Sequence, residues 1–215
     1  MKLESVGIII GLRPFEERDS IARIFTRGHG VLAGMMKGAQ VARKNKPLVG
    51  QYGPCSWNAR LDSQLGVFHF ESERNMAAPL MSDSAALSFM NSAFALLTTL
   101  LPERAEDAPL FDMTIEMLRL PSAARYLDWE VHLLRSLGYA LDLSACGGCG
   151  RAAGLEFLSQ RTGRAVCAEC AAPYMEHVFP MPVDLAATRF FLSRAALTHG
   201  VKLPIERAIF PLASA

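Results

Sequence analysis

The hydrophobic period of this chain changes once, at about Pro79, and that change dictates two architectures in series. Upstream the period is two. Val6, Ile8, Ile10 and Leu12 fall on one face of an extended segment, with Gly7, Ile9 and Gly11 on the other. A second run, Ser20 to Thr26, sets Ile21 and Phe25 opposite Ala22 and Ile24, and Gly28-His29-Gly30 supplies a hairpin turn. Val31 to Met36 gives a third. Leu48 to Leu61 gives a fourth, in which Val49, Gln51, Cys55, Trp57 and Ala59 share a parity. Gln64 to Ser72 gives a fifth, with Leu65, Val67 and His69 against Phe68 and Phe70. Five short strands with glycine at bends and few residues between them predict a small closed barrel over residues 1–78.

Downstream, Leu87, Met90, Phe94, Leu97 and Leu101 step by three and four, one apolar stripe of a helix with Ser82 or Asp83 as N-cap and Pro102 beyond its end. Further helices are expected over Phe111–Leu120, Ser122–Leu137 and Asp184–Thr198, with Gly138 and Gly200 at C-terminal cap positions. Residues 79–215 are thus read as an all-α domain, and the fold class as α+β. The ten methionines are scattered over strands and helices and read as core filler.

Into this helical part is inserted a module at about 144–172 that carries Cys146-x-x-Cys149 and Cys167-x-x-Cys170. The 17 residues between the pairs lie within the spacing expected of a tetrahedral zinc site. Four thiolates would fill the ion's coordination and make its role structural. Two disulfides in an exported protein are the competing reading. No signal peptide precedes the first strand, so a reducing cytoplasm is expected. Cys55, in Gly53-Pro54-Cys55-Ser56-Trp57, has neither a paired cysteine nor an adjacent base and reads as a small core residue. His132 and His177 lie outside any H-x-E arrangement, which leaves ligation to the thiols. Glu169, between Cys167 and Cys170, is expected to face solvent.

Charge separates the two parts. The net charge is only +1, but residues 1–78 hold 11 basic and 7 acidic side chains, and residues 79–215 hold 11 and 14. The excess concentrates between Arg13 and Lys46, a local positive potential suited to phosphates. The longest apolar run, Ala93 to Leu101, is interrupted by Thr98-Thr99 and falls short of the roughly 20 residues of a membrane span. There is no Walker-type glycine loop, and no H-x-E beside an open metal position, so the chain is read as non-enzymatic.

Three stretches together resemble the bacterial RecO family of DNA repair and recombination mediators. Gly7-Ile8-Ile9-Ile10 precedes a charged turn and a strand ending Phe25-Thr26-Arg27-Gly28-His29-Gly30. Lys37-Gly38-Ala39 opens a basic loop. Leu137-Gly138-Tyr139-Ala140-Leu141-Asp142-Leu143 leads into the first cysteine pair. The resemblance covers nearly the whole chain and implies an oligonucleotide-binding (OB) barrel followed by a helical domain with a zinc site. It also implies a mediator of the RecF pathway that binds single- and double-stranded DNA, anneals complementary strands and assists RecA loading onto single-stranded DNA. The implied partners are RecR and the C-terminal tail of single-stranded DNA-binding protein, in a cytoplasmic, nucleoid-associated setting.

The family's metal ligands fall on Cys146, Cys149, Cys167 and Cys170. Its diffuse basic DNA-binding set matches best at Lys37, Arg43, Lys44 and Lys46, to which the charge pattern adds Arg13 and Arg27. In the family, Lys-Gly-Ala is followed closely by arginine; here Gln40 intervenes and the arginine is Arg43. Phe15 and Tyr52 are the aromatics best placed to stack on bases, the others being claimed by the barrel core. Arg119, Arg125 and Arg135, amid the leucine-rich stretch 118–137, are candidates to rim a pocket for an acidic, aromatic-ended tail. Two other readings compete: a zinc-ribbon RNA-binding or transcription-associated factor, using Arg151, Arg161 and Arg164, and a scaffold whose barrel serves a protein partner.

Overall fold

The computed structural model describes residues 1–60 and 65–208. The chain divides into two compact units, Met1–Ser122 and Ala123–Ala215. In the first, β1 (Lys2–Phe15), β2 (Asp19–Thr26), β3 (Gly30–Met36), β4 (Gln51–Asn58) and β5 (Gly66–Phe70) pair in the order β1-β2-β3-β5-β4, and β4 returns to β1. All the pairs are antiparallel except β3–β5. That circuit closes an OB barrel, as expected, with a two-residue strand β6 (Arg74–Asn75) added to β4. The expected end of the fourth strand at Leu61 and start of the fifth at Gln64 lie outside the described residues.

Ile9, Ala22, Ile24, Leu32, Met36, Cys55, Trp57 and Phe68 fill the barrel interior. In β4 the alternation is as read: Gln51, Gly53, Cys55 and Trp57 are buried, each next residue less so. In β1 the expected face is broken. A bulge between Ile9 and Gly11 shifts the register against β2, so Leu12 packs with Ile9 on the interior, whereas Ile8 and Ile10 are buried outside that cluster. Trp57 fits because β5 begins with glycine: a Cβ at Gly66 would lie 2.1 Å from the indole ring. The indole N–H donates to the Ala33 carbonyl at 2.9 Å.

The first unit also holds α1 (Ser84–Leu100) and α2 (Ala108–Arg119). Asp83 caps α1 by accepting from the N–H groups of Ala85 and Ala86. Besides Met90, Phe94 and Leu97 of the expected stripe, Phe89, Ala93, Leu96 and Leu100 of α1 are buried, and both β1 and α2 contact this helix. Phe111 of α2 meets Phe25 edge-on at 5.4 Å and tilts against Tyr52 at 6.5 Å. By packing, the barrel and these two helices form one unit that runs to Ser122.

The second unit is built on α3 (Ala123–Ser136) and α5 (Leu185–Thr198), which pack together. Gly138 and Gly200 follow their C-termini with positive φ, and N–H groups of Tyr139 and Val201 reach back to the carbonyls of Leu134 and Ala196. The helical expectation gains one element: the cysteine module contains a three-stranded antiparallel sheet, β7 (Leu155–Ser159), β8 (Ala165–Cys167) and β9 (Val178–Pro180). Strands this short give no readable period. The one-turn helices α4 (Ala168–Ala171) and α6 (Ile205–Ala208) complete the unit.

At its centre Glu130 of α3 and Arg207 of α6 form an ion pair with both side chains 0% exposed. Thr188 of α5 donates to Glu130 Oε2 at 2.6 Å, and Arg207 Nη2 donates to the Leu185 carbonyl at 2.7 Å. One pair thus ties α6 to both long helices. Glu130→Ala, which leaves a buried guanidinium without its counter-ion, is expected to cost about 3–5 kcal/mol, whereas the double change Glu130→Met/Arg207→Leu recovers most of it. Native-state hydrogen exchange of the α3 and α5 amides measures both.

Candidate metal centre and nucleic-acid interface

Cys146 and Cys149 flank a tight turn whose Gly147 N–H bonds to the Ala165 carbonyl of β8, so the first pair is tied to the strand that ends in Cys167. Cys170 follows one helical turn later on α4. Only glycine serves at 148, where a Cβ would lie 2.8 Å from Cys170 Sγ. The four sulfurs lie within 4.8 Å of one another, with Cys146 to Cys167 at 3.8 Å and Cys149 to Cys167 at 3.9 Å. A tetrahedron of metal–sulfur bonds of about 2.3 Å has edges of about 3.8 Å, so the cage has the size such an ion requires. No disulfide links these cysteines, so that reading is not what the fold adopts.

Electrostatics favours a cation inside. Backbone N–H groups of Cys149, Cys167 and Gly148 are directed at Cys146 and push its thiol down to about 5. Cys170, sharing hydrogen bonds with Cys167, Cys149 and Cys146 and facing the Cys146 charge, is pushed up to about 12. Four crowded sulfurs cannot all ionise unless a positive ion offsets their mutual repulsion. Glu169 is exposed, as expected, but not free: Arg151 bonds it at 2.6 Å and so joins the two cysteine turns. Cys55 is buried in the barrel, and burial pushes its thiol up to about 11, an inert core residue. His132 and His177 are not members of the sulfur cluster.

The basic loop between β3 and β4 is pinned at both ends. Gly38 N–H bonds Asp19 Oδ1 at 2.7 Å and Gln40 bonds the Arg18 carbonyl and the Ser20 hydroxyl. At the other end Gln51 accepts from the Leu48 N–H and donates to the Lys46 carbonyl. Lys37, Arg43, Lys44 and Lys46 are all exposed on this anchored frame. A cleft of about 260 Å³ beside the loop is lined by Lys46 and Arg13 together with Leu12 and Gln40.

The description "Recombination protein O N terminal" fits residues 1–71 and "Recombination protein O C terminal" fits residues 81–209. The chain is 37% identical over 205 residues to the DNA repair protein RecO of Dinoroseobacter shibae, an alignment covering 91% of this chain and 81% of the relative. With the RecO of Cereibacter sphaeroides it shares 33% identity over 97% of this chain and 96% of that one. The chain belongs to the RecO family.

Among the candidate residues of this RecO family member, Arg27 stands apart. Its guanidinium makes a bidentate pair with Asp112 of α2, 2.9 Å to each oxygen, which holds Asp112 below the usual carboxylate range. Tyr52 packs on Phe111, whereas Phe15 is exposed at the end of β1. Arg119 lines a cleft of about 570 Å³ in the first unit with Arg74, Met76 and Leu80, and Arg125 and Arg135 are exposed on α3 of the second unit. Arg74 and the Asp112 partner of Arg27 carry no local signal in the sequence; only the fold places them.

Metal analysis of the purified protein is expected to find about one ion per chain, removed by a strong chelator together with several kcal/mol of the second unit's stability. Cys167→Ser is expected to lower the melting temperature and the metal content together. A chain that keeps its melting temperature after the metal is stripped would contradict a structural site.

Proposed function

We propose that this RecO family member is a non-enzymatic recombination mediator. It binds single- and double-stranded DNA through the barrel, anneals complementary strands and assists RecA loading in the RecF pathway, in association with the nucleoid. Its ion is zinc, which four thiolates suit by donor softness and tetrahedral size, and its role is to hold the second unit together. Four sulfur ligands fill that ion's coordination, so the reading gives the metal no substrate.

The observation that carries the proposal is the pinned basic loop. Its ends are fixed by Asp19, Ser20 and Gln51, whereas the charges of Lys37, Arg43, Lys44 and Lys46 project from an exposed frame next to Arg13. Cations held near phosphates without donors aimed at base edges bind sequence-tolerantly. Neutralising phosphates lets two strands approach while their bases stay free to pair. Few exposed aromatics accompany the loop, Phe15 being the chief one, so electrostatics dominates over stacking. Arg27 contributes with the N–H groups that Asp112 leaves.

In the same reading RecR and the acidic tail of single-stranded DNA-binding protein are the protein partners. The tail suits the cleft of Arg74 and Arg119, which combines two guanidinium groups with Met76, Leu80 and Leu118, while the one carboxylate on its wall, Asp83, is engaged in capping α1. Arg125 and Arg135 extend the candidates to the second unit. Arg74→Ala and Arg119→Ala are the variants that address this site.

Changing Arg43, Lys44 and Lys46 together to Ala is expected to weaken single-stranded DNA binding alike for all sequences. The slope of log affinity against log salt should shrink by about 2, at about 0.7 for each phosphate no longer neutralised. Annealing of complementary oligonucleotides should slow in parallel. An unchanged salt slope, or annealing at the rate of naked strands by the unaltered protein, would remove the mediator reading.

A further inference from the structure

We propose that a cleft on the cysteine module holds one nucleotide unit of a single strand, its phosphate on Arg161 and Arg164 and its base against Tyr174. The proposal rests on the reading of this protein as a DNA binder and adds a contact outside the barrel. The cleft, of about 580 Å³, lies entirely in the second unit, between the β7–β8 turn, the Gly147-Gly148 turn and the helical turn Ala172–His177. Its volume is that of a small-molecule site.

Charge selects the ligand. Among the described residues the wall carries Arg161, Arg164 and His177 and no carboxylate. Arg151 is paired with Glu169 and Arg164 with Asp142, and Cys170 adds a thiol to the wall, so the positive potential of the cleft is carried chiefly by Arg161. Arg164 is oriented by a 3.0 Å pair with Asp142, and of the five N–H donors of a guanidinium this leaves several for a phosphate. Arg161 is exposed at the hairpin tip.

The frame is rigid. Arg194 of α5 donates to the Gln160 carbonyl at 2.6 Å, and the Gln160 N–H bonds the His177 carbonyl at 3.0 Å, so both sides of the cleft are fixed to one another.

Tyr174 decides between a nucleotide and a bare anion. Its residue is 62% exposed, an unusual state for a large aromatic, and it stands at a break in the helical turn with φ −134° and ψ 25°. An exposed ring beside guanidinium groups is the arrangement on which bases of single strands stack, and Ser159 and Thr162 add hydroxyls able to meet base or sugar edges. An acidic peptide would satisfy the arginines but makes less use of the hydroxyls and the ring face. The cleft at Arg74 and Arg119, with Met76 and Leu80, suits a peptide better.

The test uses the full chain and a short oligothymidylate carrying one 5-iododeoxyuridine. Irradiation is expected to cross-link Tyr174, located by peptide mass spectrometry. Tyr174→Ala and Arg161→Ala, both at exposed positions and expected to keep the parental melting temperature, should each weaken oligothymidylate binding about tenfold in fluorescence anisotropy. They should do so equally in the background of the Arg43, Lys44 and Lys46 triple variant. Thymidine monophosphate as competitor separates the sources: displacement at millimolar concentration assigns the cleft to any nucleotide, and lack of displacement assigns it to a strand, either of which supports the proposal once Tyr174 is cross-linked. Cross-links confined to residues 1–78, with unchanged affinity in both variants, overturn it while leaving the barrel reading intact. Loss of binding to an acidic, phenylalanine-ended peptide but not to oligothymidylate also overturns it, in favour of a peptide site. If the unaltered chain binds no oligonucleotide, the DNA reading itself fails.

Discussion

The first unit depends on β1 having two partners. Residues 2–8 pair with β4 and residues 7–15 pair with β2, so Gly7 and Ile8 are bonded on both edges and the sheet closes there. A strand that serves both edges must coil strongly, and the bulge at Ile10 supplies the extra twist. Closure has a consequence beyond stability. A closed barrel fixes the ends of β3 and β4, from which the basic loop springs, and so fixes the frame on which its cations stand. The hydrogen bonds of Asp19 on the neighbouring β2 and of Gln51 at the start of β4 complete that frame.

The cysteine module solves the same problem with different means. Its three strands have five, three and three residues, too little apolar surface to organise a sheet alone. Four sulfurs gathered at two turns could replace the missing core, because an ion bound there only in the folded state would add its binding free energy to folding. The bonds from Gly147 to Ala165 and from Arg151 to Glu169 tie the two cysteine turns together independently of any ion.

Much of this was legible in the sequence because it rests on periods and fixed spacings. The barrel strands announce themselves through parity, as in Gln51, Cys55 and Trp57, and the metal cage through two x-x gaps. The bulge at Ile10 was not legible: the pattern Val6, Ile8, Ile10, Leu12 is evenly alternating, and only the demand of pairing with two strands breaks it. The strands of the module were hidden by their brevity. Nor does any local pattern tell Arg27 from Lys37; both are exposed, and the distinction lies in Asp112, 85 residues away, whose carboxylate pairs with the arginine.

That distinction bears on how such a surface is tuned. A bidentate partner occupies two of a guanidinium's donors and offsets part of its charge at a half-exposed position, so Arg27 also ties α2 to the barrel. Among the described residues the loop cations have no comparable claim on them, and a flexible lysine or arginine that trades water and counter-ions for a phosphate gives up little when it lets go. Weak, interchangeable contacts suit the proposed role, in which the protein holds a strand and then releases it to a complementary partner. Stronger, more selective groups would hold the bases in place and oppose the pairing that annealing requires. The diffuse basic frame, which gives the least specific signal in the sequence, is therefore the part whose lack of specificity matches the proposed task.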